Sequence, residues 1–219
     1  MLLIADAHDV QYGLVEPVDV AEMVELLADV FSRFEPPAVA AGLTIDELRG
    51  IVSLFGQRAT EDALTIVARA VTSGRLIGAM LTEDFASAPP EGIDEIADHF
   101  HPIAAMLDGL DAQFRERNRI LPGQILHLYM LGVAEGFGGR GIARNLIRLA
   151  LENGRRKGYR KAVTEATGNV SQHIFRGLGF EERFRTAYKE FSYHGRRSFD
   201  AILEHEAVIL MEKNLDSPL

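Results

Sequence analysis

Residues 125–143, ILHLYMLGVAEGFGGRGIA, decide how this chain is read. Ile125, Leu126, Leu128, Tyr129, Met130, Leu131 and Val133 make a nearly continuous apolar run of strand length, the pattern of a strand buried on both faces. Gly136, Gly138, Gly139 and Gly141 follow within a few residues. Ile142, Ala143, Leu146, Ile147, Leu149 and Ala150 then recur at helical spacing as far as Gly154. A glycine turn that opens a helix leaves several backbone N–H groups without intrahelical partners, all pointing one way. With the helix dipole they make a place for an anion, most often a phosphate. Glycine suits the turn because a side chain would hold the phosphate away from the backbone.

Upstream, residues 10–15 form a short candidate strand. A helix is predicted from Pro17 to about Phe34, with Val20, Met23, Val24, Leu27, Val30 and Phe31 on one face. Glu35-Pro36-Pro37 ends it, because the residue before a proline avoids helical angles. Thr44 and Glu47 read as a capping box for a second helix that carries Leu48, Ile51, Val52 and Phe55. Residues 64–70 and 75–83 read as a hairpin around Ser73-Gly74. Residues 93–119 read as helical, with a break near Pro102.

Downstream, residues 161–165 read as a short strand and 169–178 as a short helix, with Gly179 as its cap and Phe180 packing back under it. Residues 184–191 and 207–213 close the chain as a strand pair. The order predicts an α/β chain (an α+β mixed sheet): about seven strands, with helices on both faces. The expectation is a single domain over 1–219, with a helical insertion around 85–121.

Of the 219 residues, 47% are hydrophobic and 25% charged, the balance of an ordinary globular protein. There is no cysteine, which excludes disulfides, zinc-thiolate sites and a cysteine nucleophile. The net charge of −9 argues against general nucleic-acid binding and would suit a cationic or amine partner. No apolar run approaches the roughly 20 residues of a membrane helix, and the first residues lack the basic region of a signal peptide. The expectation is a cytoplasmic protein, monomeric or homodimeric, with no membrane or nucleic-acid partner. Among the seven histidines no pair has the four-residue spacing of a helical zinc motif, so no metal is expected; His127 reads as a hydrogen-bonded core residue or a cleft-lining one.

Two segments, VAEGFGGRGIARNL (133–146) and NVSQHIFRGLGF (169–180), resemble the two core motifs of the GNAT superfamily of N-acetyltransferases. The first motif falls on Gly138, Gly139-Arg140, Gly141, Ile142 and Ala143, with Gly138 where the family usually has arginine or glutamine. Phe34-Glu35-Pro36, the extra helical segment, and residues 165–171 (EATGNVS) are similar to the insect-type arylalkylamine N-acetyltransferases.

The resemblance implies acetyl-coenzyme A as co-substrate and direct attack of a primary amine on its thioester. It implies that Gly138, Gly139, Arg140, Gly141, Ile142 and Ala143 hold the pyrophosphate, and that Leu131, Gly132 and Val133 offer main-chain groups to the pantetheine arm and the carbonyl. Asn169 matches a position that hydrogen-bonds the coenzyme, and Phe175 stands where many members have the tyrosine that protonates the leaving thiolate. Glu35 is the implied general base; its alternative reading is a surface glutamate at a helix end. Ser171 or Thr167 would replace the missing tyrosine, or both are helix-start residues, with Thr167 or Asn169 as the N-cap. The expected function is therefore acetyl transfer to a small amine. The alternatives are acetylation of protein N-termini or lysines, and a non-catalytic acyl-coenzyme A-binding module.

Overall fold

The computed structural model describes residues 2–7 and 9–216, with side-chain surroundings described for 9–93 and 95–216. Eight strands form one sheet in the spatial order β1-β2-β3-β4-β5-β6-β8-β7: β1 (Leu2–Ala7), β2 (Val10–Leu14), β3 (Ile66–Ala70), β4 (Leu76–Asp84), β5 (Ile125–Val133), β6 (Lys161–Ala166), β7 (Glu181–Ala187) and β8 (Ala207–Asn214). Every neighbouring pair is antiparallel except β5 with β6. The sheet is thus mixed, as the sequence predicts, with one strand more than expected. The addition is β1, an edge strand whose LLIADA sequence gives no clean alternation.

Helices cover both faces. On one side lie α1 (Val20–Phe34), α2 (Pro36–Ala41), α3 (Ile45–Glu61) and α4 (His101–Arg117), around a core that includes Met23, Leu27, Ile51, Met106 and Phe114. On the other, α5 (Ile142–Arg156) and α6 (Asn169–Arg176) bury Ile142, Leu146, Ile147 and Phe175 against the sheet. The first helix starts as a 3-10 turn at Pro17–Asp19 and ends at Glu35, as its sequence dictates. The prolines that stop it then begin α2, because proline suits the first helical turn, where its missing N–H is no loss. The Thr44–Glu47 capping box forms as expected and opens α3. Pro102 does not break a helix: it sits in the first turn of α4, after two 3-10 turns at Ile93–Glu95 and Asp98–Phe100. Among the described residues no helix is long and apolar enough to cross a membrane.

The centre of the sheet is where regularity fails. β5 pairs with β6 only through Ile125 with Lys161, Leu126 with Ala162 and His127 with Val163. The Thr164 hydroxyl donates to the Leu128 carbonyl at 2.9 Å, a side-chain tie past the last paired residues. Beyond it the two strands diverge. On its other edge β5 stays paired with β4, but Tyr129 is skipped: Leu128 faces Thr82 and Met130 faces Leu81. This bulge places the consecutive Tyr129 and Met130 against the same core, while Leu128 and Leu131 pack on the opposite one. A bulge beside a splay aims side chains out of the regular pleat, here at the point where the sheet opens.

Candidate active site

The splay exposes main chain that a sheet normally hides. The Ala134 N–H donates to Ile77 in β4 at 2.8 Å, so by strand alternation the N–H and C=O groups of Leu131 and Val133 face away from β4, into the gap left by β6. Gly132, between them, is pressed under α1: a Cβ there would lie 2.9 Å from the Leu27 side chain. The strand therefore passes tight beneath one helix while offering a free polar edge to a ligand.

The glycine turn lies at the end of this edge. Gly136, Gly139 and Gly141 hold φ of +83°, +73° and +77°, angles that a side chain disfavours. Gly141 is the N-cap of α5, and the first bond of the helix runs from Asn145 N–H to its carbonyl. The N–H groups of Ile142, Ala143 and Arg144 have no intrahelical acceptor and make a polar cradle. A Cβ built at Gly136, Gly139 or Gly141 would meet nothing within 4 Å, so the turn opens on space of the kind a pyrophosphate needs. Gly138 differs: its φ lies outside the left-handed region and its Cβ would also be unobstructed, so the backbone does not require glycine there. Arg140 is exposed and stacks over the Phe137 ring at 5.5 Å. Ile142 is buried, so its side chain is core and only its N–H is available.

Between the glycine turn and the splay lies a cavity of about 420 Å³. Leu131, Val133, Ala143, Phe175, Glu35, Thr167 and Ser171 all line it, although they come from five segments of the chain. Gly132, Gly138, Gly139, Arg140, Gly141, Ile142 and Asn169 are not on its wall. Glu35 is the hinge between α1 and α2: its Oε2 accepts the Ala38 N–H at 2.6 Å and caps α2. Burial pushes its carboxyl up to about 7, against the lowering effect of the Thr167 hydroxyl and the Ala38 N–H. It is half-buried, and it stands at a helix end with its carboxylate engaged as the cap.

Thr167 is held from behind. The buried Tyr188 hydroxyl donates to its carbonyl at 2.6 Å. Gly168, rather than Thr167 or Asn169, is the N-cap of α6. Ser171 supplies the capping hydroxyl: its Oγ donates to the Gly168 carbonyl at 2.8 Å and accepts the Gly168 N–H at 3.3 Å. The Asn169 side chain turns away from the cavity and donates to the Glu204 carbonyl at 2.7 Å. Phe175 is buried against Phe180, with ring centroids 5.0 Å apart; the Phe180 N–H bonds back to the Phe175 carbonyl. The cap itself is Gly177, and Gly179, at φ +83°, makes the left-handed turn after it.

A second, charged group sits behind this cavity. His127 Nε2 lies 2.7 Å from Glu165 Oε2, and its Nδ1 lies 3.3 Å from Glu83 Oε1. Burial pulls the imidazole down, but Glu165 and Glu83 outweigh it and hold His127 well above its ordinary value. Burial pushes Glu165 up, but His127, joined by a hydrogen bond with Asp111 and one from the main chain, holds that carboxyl low. Of this group the sequence marks His127 as a core or cleft residue and places Glu165 only within the segment 165–171; Glu83 carries no local signal, while Asp111 lies four residues after Leu107 and three before Phe114, on the apolar face of α4, where a carboxylate is out of place.

A mixed sheet split at its centre, with a free strand edge on one side of the split and a glycine-rich helix N-terminus at its end, is the frame of a coenzyme A-dependent acyltransferase. The sequence profile of the acetyltransferase (GNAT) family matches residues 24–180, and the chain belongs to that family. The family uses acetyl-coenzyme A as co-substrate, and the free edge and cradle just described fit it. The fold is shared with the C-terminal condensation domain of Ebony in complex with beta-alanyl-dopamine (17% identity, 94% of this chain and 98% of that one, TM-score 0.86). It is shared also with arylalkylamine N-acetyltransferase 2 from Aedes aegypti (20% identity, 95% and 100%, TM-score 0.79). A third structure, the Drosophila melanogaster polyamine N-acetyltransferase that forms N-acetylagmatine, matches at 18% identity over 94% and 100%, with a TM-score of 0.70.

Proposed function

We propose that the protein transfers the acetyl group of acetyl-coenzyme A to the primary amine of a small molecule, with Glu35 as the general base. One observation supports this most: the free main chain of Leu131 and Val133, the Glu35 carboxylate and the Thr167 and Ser171 hydroxyls meet on one cavity. Arylalkylamine and polyamine acetyltransferases among its structural neighbours agree with a small amine as acceptor. So does α4, whose Leu107 lines the cavity and narrows the approach of a folded protein chain.

The co-substrate supplies an acyl carbon activated by a thiolate leaving group. The N–H groups of Ile142 to Arg144 hold its pyrophosphate, and the edge of Leu131 to Val133 aligns its pantetheine arm and offers an N–H to the carbonyl oxygen as negative charge develops there. An alkylammonium enters protonated. Glu35, with its pKa near neutrality, accepts one proton, directly or through water, and frees the nitrogen lone pair. The new C–N bond forms at the acyl carbon, and the C–S bond breaks. The departing sulfur takes a proton from the Thr167 or Ser171 hydroxyl, which recovers one from the nitrogen as the amide forms. The net products are the amide, the free thiol and one proton.

The pH dependence tests the base. Glu35 works only as a carboxylate, so kcat/KM for the amine should rise with pH through an apparent pKa of about 7 and then level. Below that value it should fall about tenfold per pH unit. If the enzyme instead drew only on free amine from solution, the rise would centre on the amine's own pKa, near 10 for an alkylamine such as lysine. A profile of that second form would remove Glu35 from the mechanism.

A further inference from the structure

Part of the wall of the acetyl-transfer cavity is the stretch where β6 runs out, and three successive carbonyls there are held by side chains. The Ala166 carbonyl accepts the Gln172 amide at 3.1 Å, the Thr167 carbonyl accepts the Tyr188 hydroxyl at 2.6 Å, and the Gly168 carbonyl accepts the Ser171 hydroxyl at 2.8 Å. Gln172 and Ser171 belong to α6, which follows at once. Tyr188 comes from further away, just past the end of β7. Its reach matters because the register of β6 with β8 ends at Ala166 with Ile209, one residue short of Thr167. Tyr188 is itself rigidly set. It is fully buried, its ring lies 6.0 Å from that of Phe199, which stacks on Phe191 at 5.5 Å, and its N–H donates to the Glu206 carbonyl at 3.1 Å. A phenol packed in this way needs a hydrogen-bond partner, and the Thr167 carbonyl supplies it. Burial, and after it the Glu35 charge, pushes the Tyr188 phenol up, so it stays a donor across the working pH range.

Thr167 and Glu35 meet at this point. A Cβ built on Gly168 would lie 3.6 Å from the Pro36 ring, so the residues that follow Thr167 and Glu35 are in contact. The Thr167 hydroxyl bonds to the Glu35 carboxylate and favours its charged form. Of the other titratable side chains on the cavity wall, Glu165 is taken by His127, His205 Nδ1 accepts the Asn169 N–H, and Tyr129 packs on Phe55. The groups that act on the Glu35 carboxylate are therefore the Thr167 hydroxyl and the Ala38 N–H. A residue beyond the end of a strand ladder turns freely unless its main chain is fixed, and a hydroxyl that turns makes its bond only part of the time. We propose that Tyr188 is a positioning residue of the transfer site: its hydroxyl fixes the Thr167 main chain, so that the Thr167 hydroxyl stays on the Glu35 carboxylate. This rests on the acetyl-transfer reading above. Tyr188 is not on the cavity wall and acts only through Thr167.

Tyr188→Phe keeps the ring and removes the hydroxyl. Nuclear magnetic resonance on the whole chain, with isotopically labelled glutamate carboxyls, reads the Glu35 titration without turnover; its signal is the one lost in Glu35→Gln. Releasing Thr167 weakens a bond that favours the carboxylate, so Glu35 should titrate about half a unit to one unit higher in Tyr188→Phe than in the wild type. The kcat should fall about three- to tenfold, the worth of one hydrogen bond, with acetyl-coenzyme A affinity within about twofold. Thr167→Val should raise the Glu35 titration as well, and adding Tyr188→Phe should move it no further, since both act through one bond. A tyrosine that only packs would lower thermal stability in Tyr188→Phe and leave the Glu35 titration where it is. That result, or a full further shift in the Thr167→Val background, would overturn the proposal. If Tyr188→Phe does not fold, Phe199→Leu loosens the ring and keeps the hydroxyl; a smaller upward shift is expected there, and none would overturn the proposal too. Thiol release, measured in parallel, separates the two readings. A raised Glu35 titration without thiol release from any amine sinks the transfer reading and keeps the link from Tyr188 to Glu35. Thiol release with the titration unmoved does the reverse.

Discussion

Glu35→Gln should lower kcat about 10²–10³-fold and leave acetyl-coenzyme A affinity within about twofold, since removing a general base costs a factor of that order. The substitution is close in shape. A glutamine amide oxygen can still accept the Ala38 N–H, so α2 keeps its cap. The neutral side chain also removes the cost of holding a carboxylate in this partly dry cleft, so the variant should fold. What it loses is the ability to take a proton from the ammonium. The variant's pH profile should therefore lack the rise near 7. A variant with normal kcat, or with the wild-type profile, would move the base elsewhere, and the His127–Glu165 pair would be the next group to examine.

Gly141→Glu should weaken acetyl-coenzyme A binding by on the order of 10²-fold, about 2.7 kcal/mol. Gly141 holds a φ of +77° at the N-cap of α5, and a Cβ there would enter open space rather than protein. The strain of a left-handed non-glycine residue is about 1–2 kcal/mol, and a carboxylate at a helix N-terminus offsets part of it. The helix should survive. The carboxylate would lie where the N–H groups of Ile142 to Arg144 converge and would occupy the anion site itself. Gly141→Ala carries the backbone strain without the charge, so the difference between the two variants isolates the electrostatic effect. Near-wild-type affinity of Gly141→Glu by calorimetry would place the pyrophosphate elsewhere.

The features readable in the sequence were those with a local cause. The apolar run of β5, the glycines after it, the Thr44–Glu47 box and the stop at Glu35-Pro36-Pro37 each act within a few residues, and each appears where its pattern puts it. The last strand pair was harder: β7 runs from Glu181 to Ala187, earlier than the expected 184–191, because it lies exposed at the sheet edge with little apolar alternation. Two other features depend on distant pairing. The bulge at Tyr129 exists only against β4, and nothing in the run ILHLYMLGV marks it. The acidic group joins Glu83, Asp111, His127 and Glu165 from four separate elements. Of its carboxylates Asp111 left the local trace, on an apolar helix face. Helix capping near the site was also misassigned. Thr167 and Asn169 have the right chemistry for an N-cap, but Ser171 caps Gly168 from inside the helix, and Asn169 is drawn to the Glu204 carbonyl instead.

The proposed activity requires that an amine accept the acetyl group of acetyl-coenzyme A at this site. The most direct measurement is release of free thiol from acetyl-coenzyme A by the purified protein across a panel of arylalkylamines, alkyl monoamines, alkyl diamines and lysine-containing peptides. Amine-dependent release, with small amines used far better than peptides and the matching N-acetyl product seen by mass spectrometry, is the predicted result. Release with peptides alone would contradict the small-molecule reading. Tight acetyl-coenzyme A binding with no release for any amine would contradict catalysis and leave a binding module.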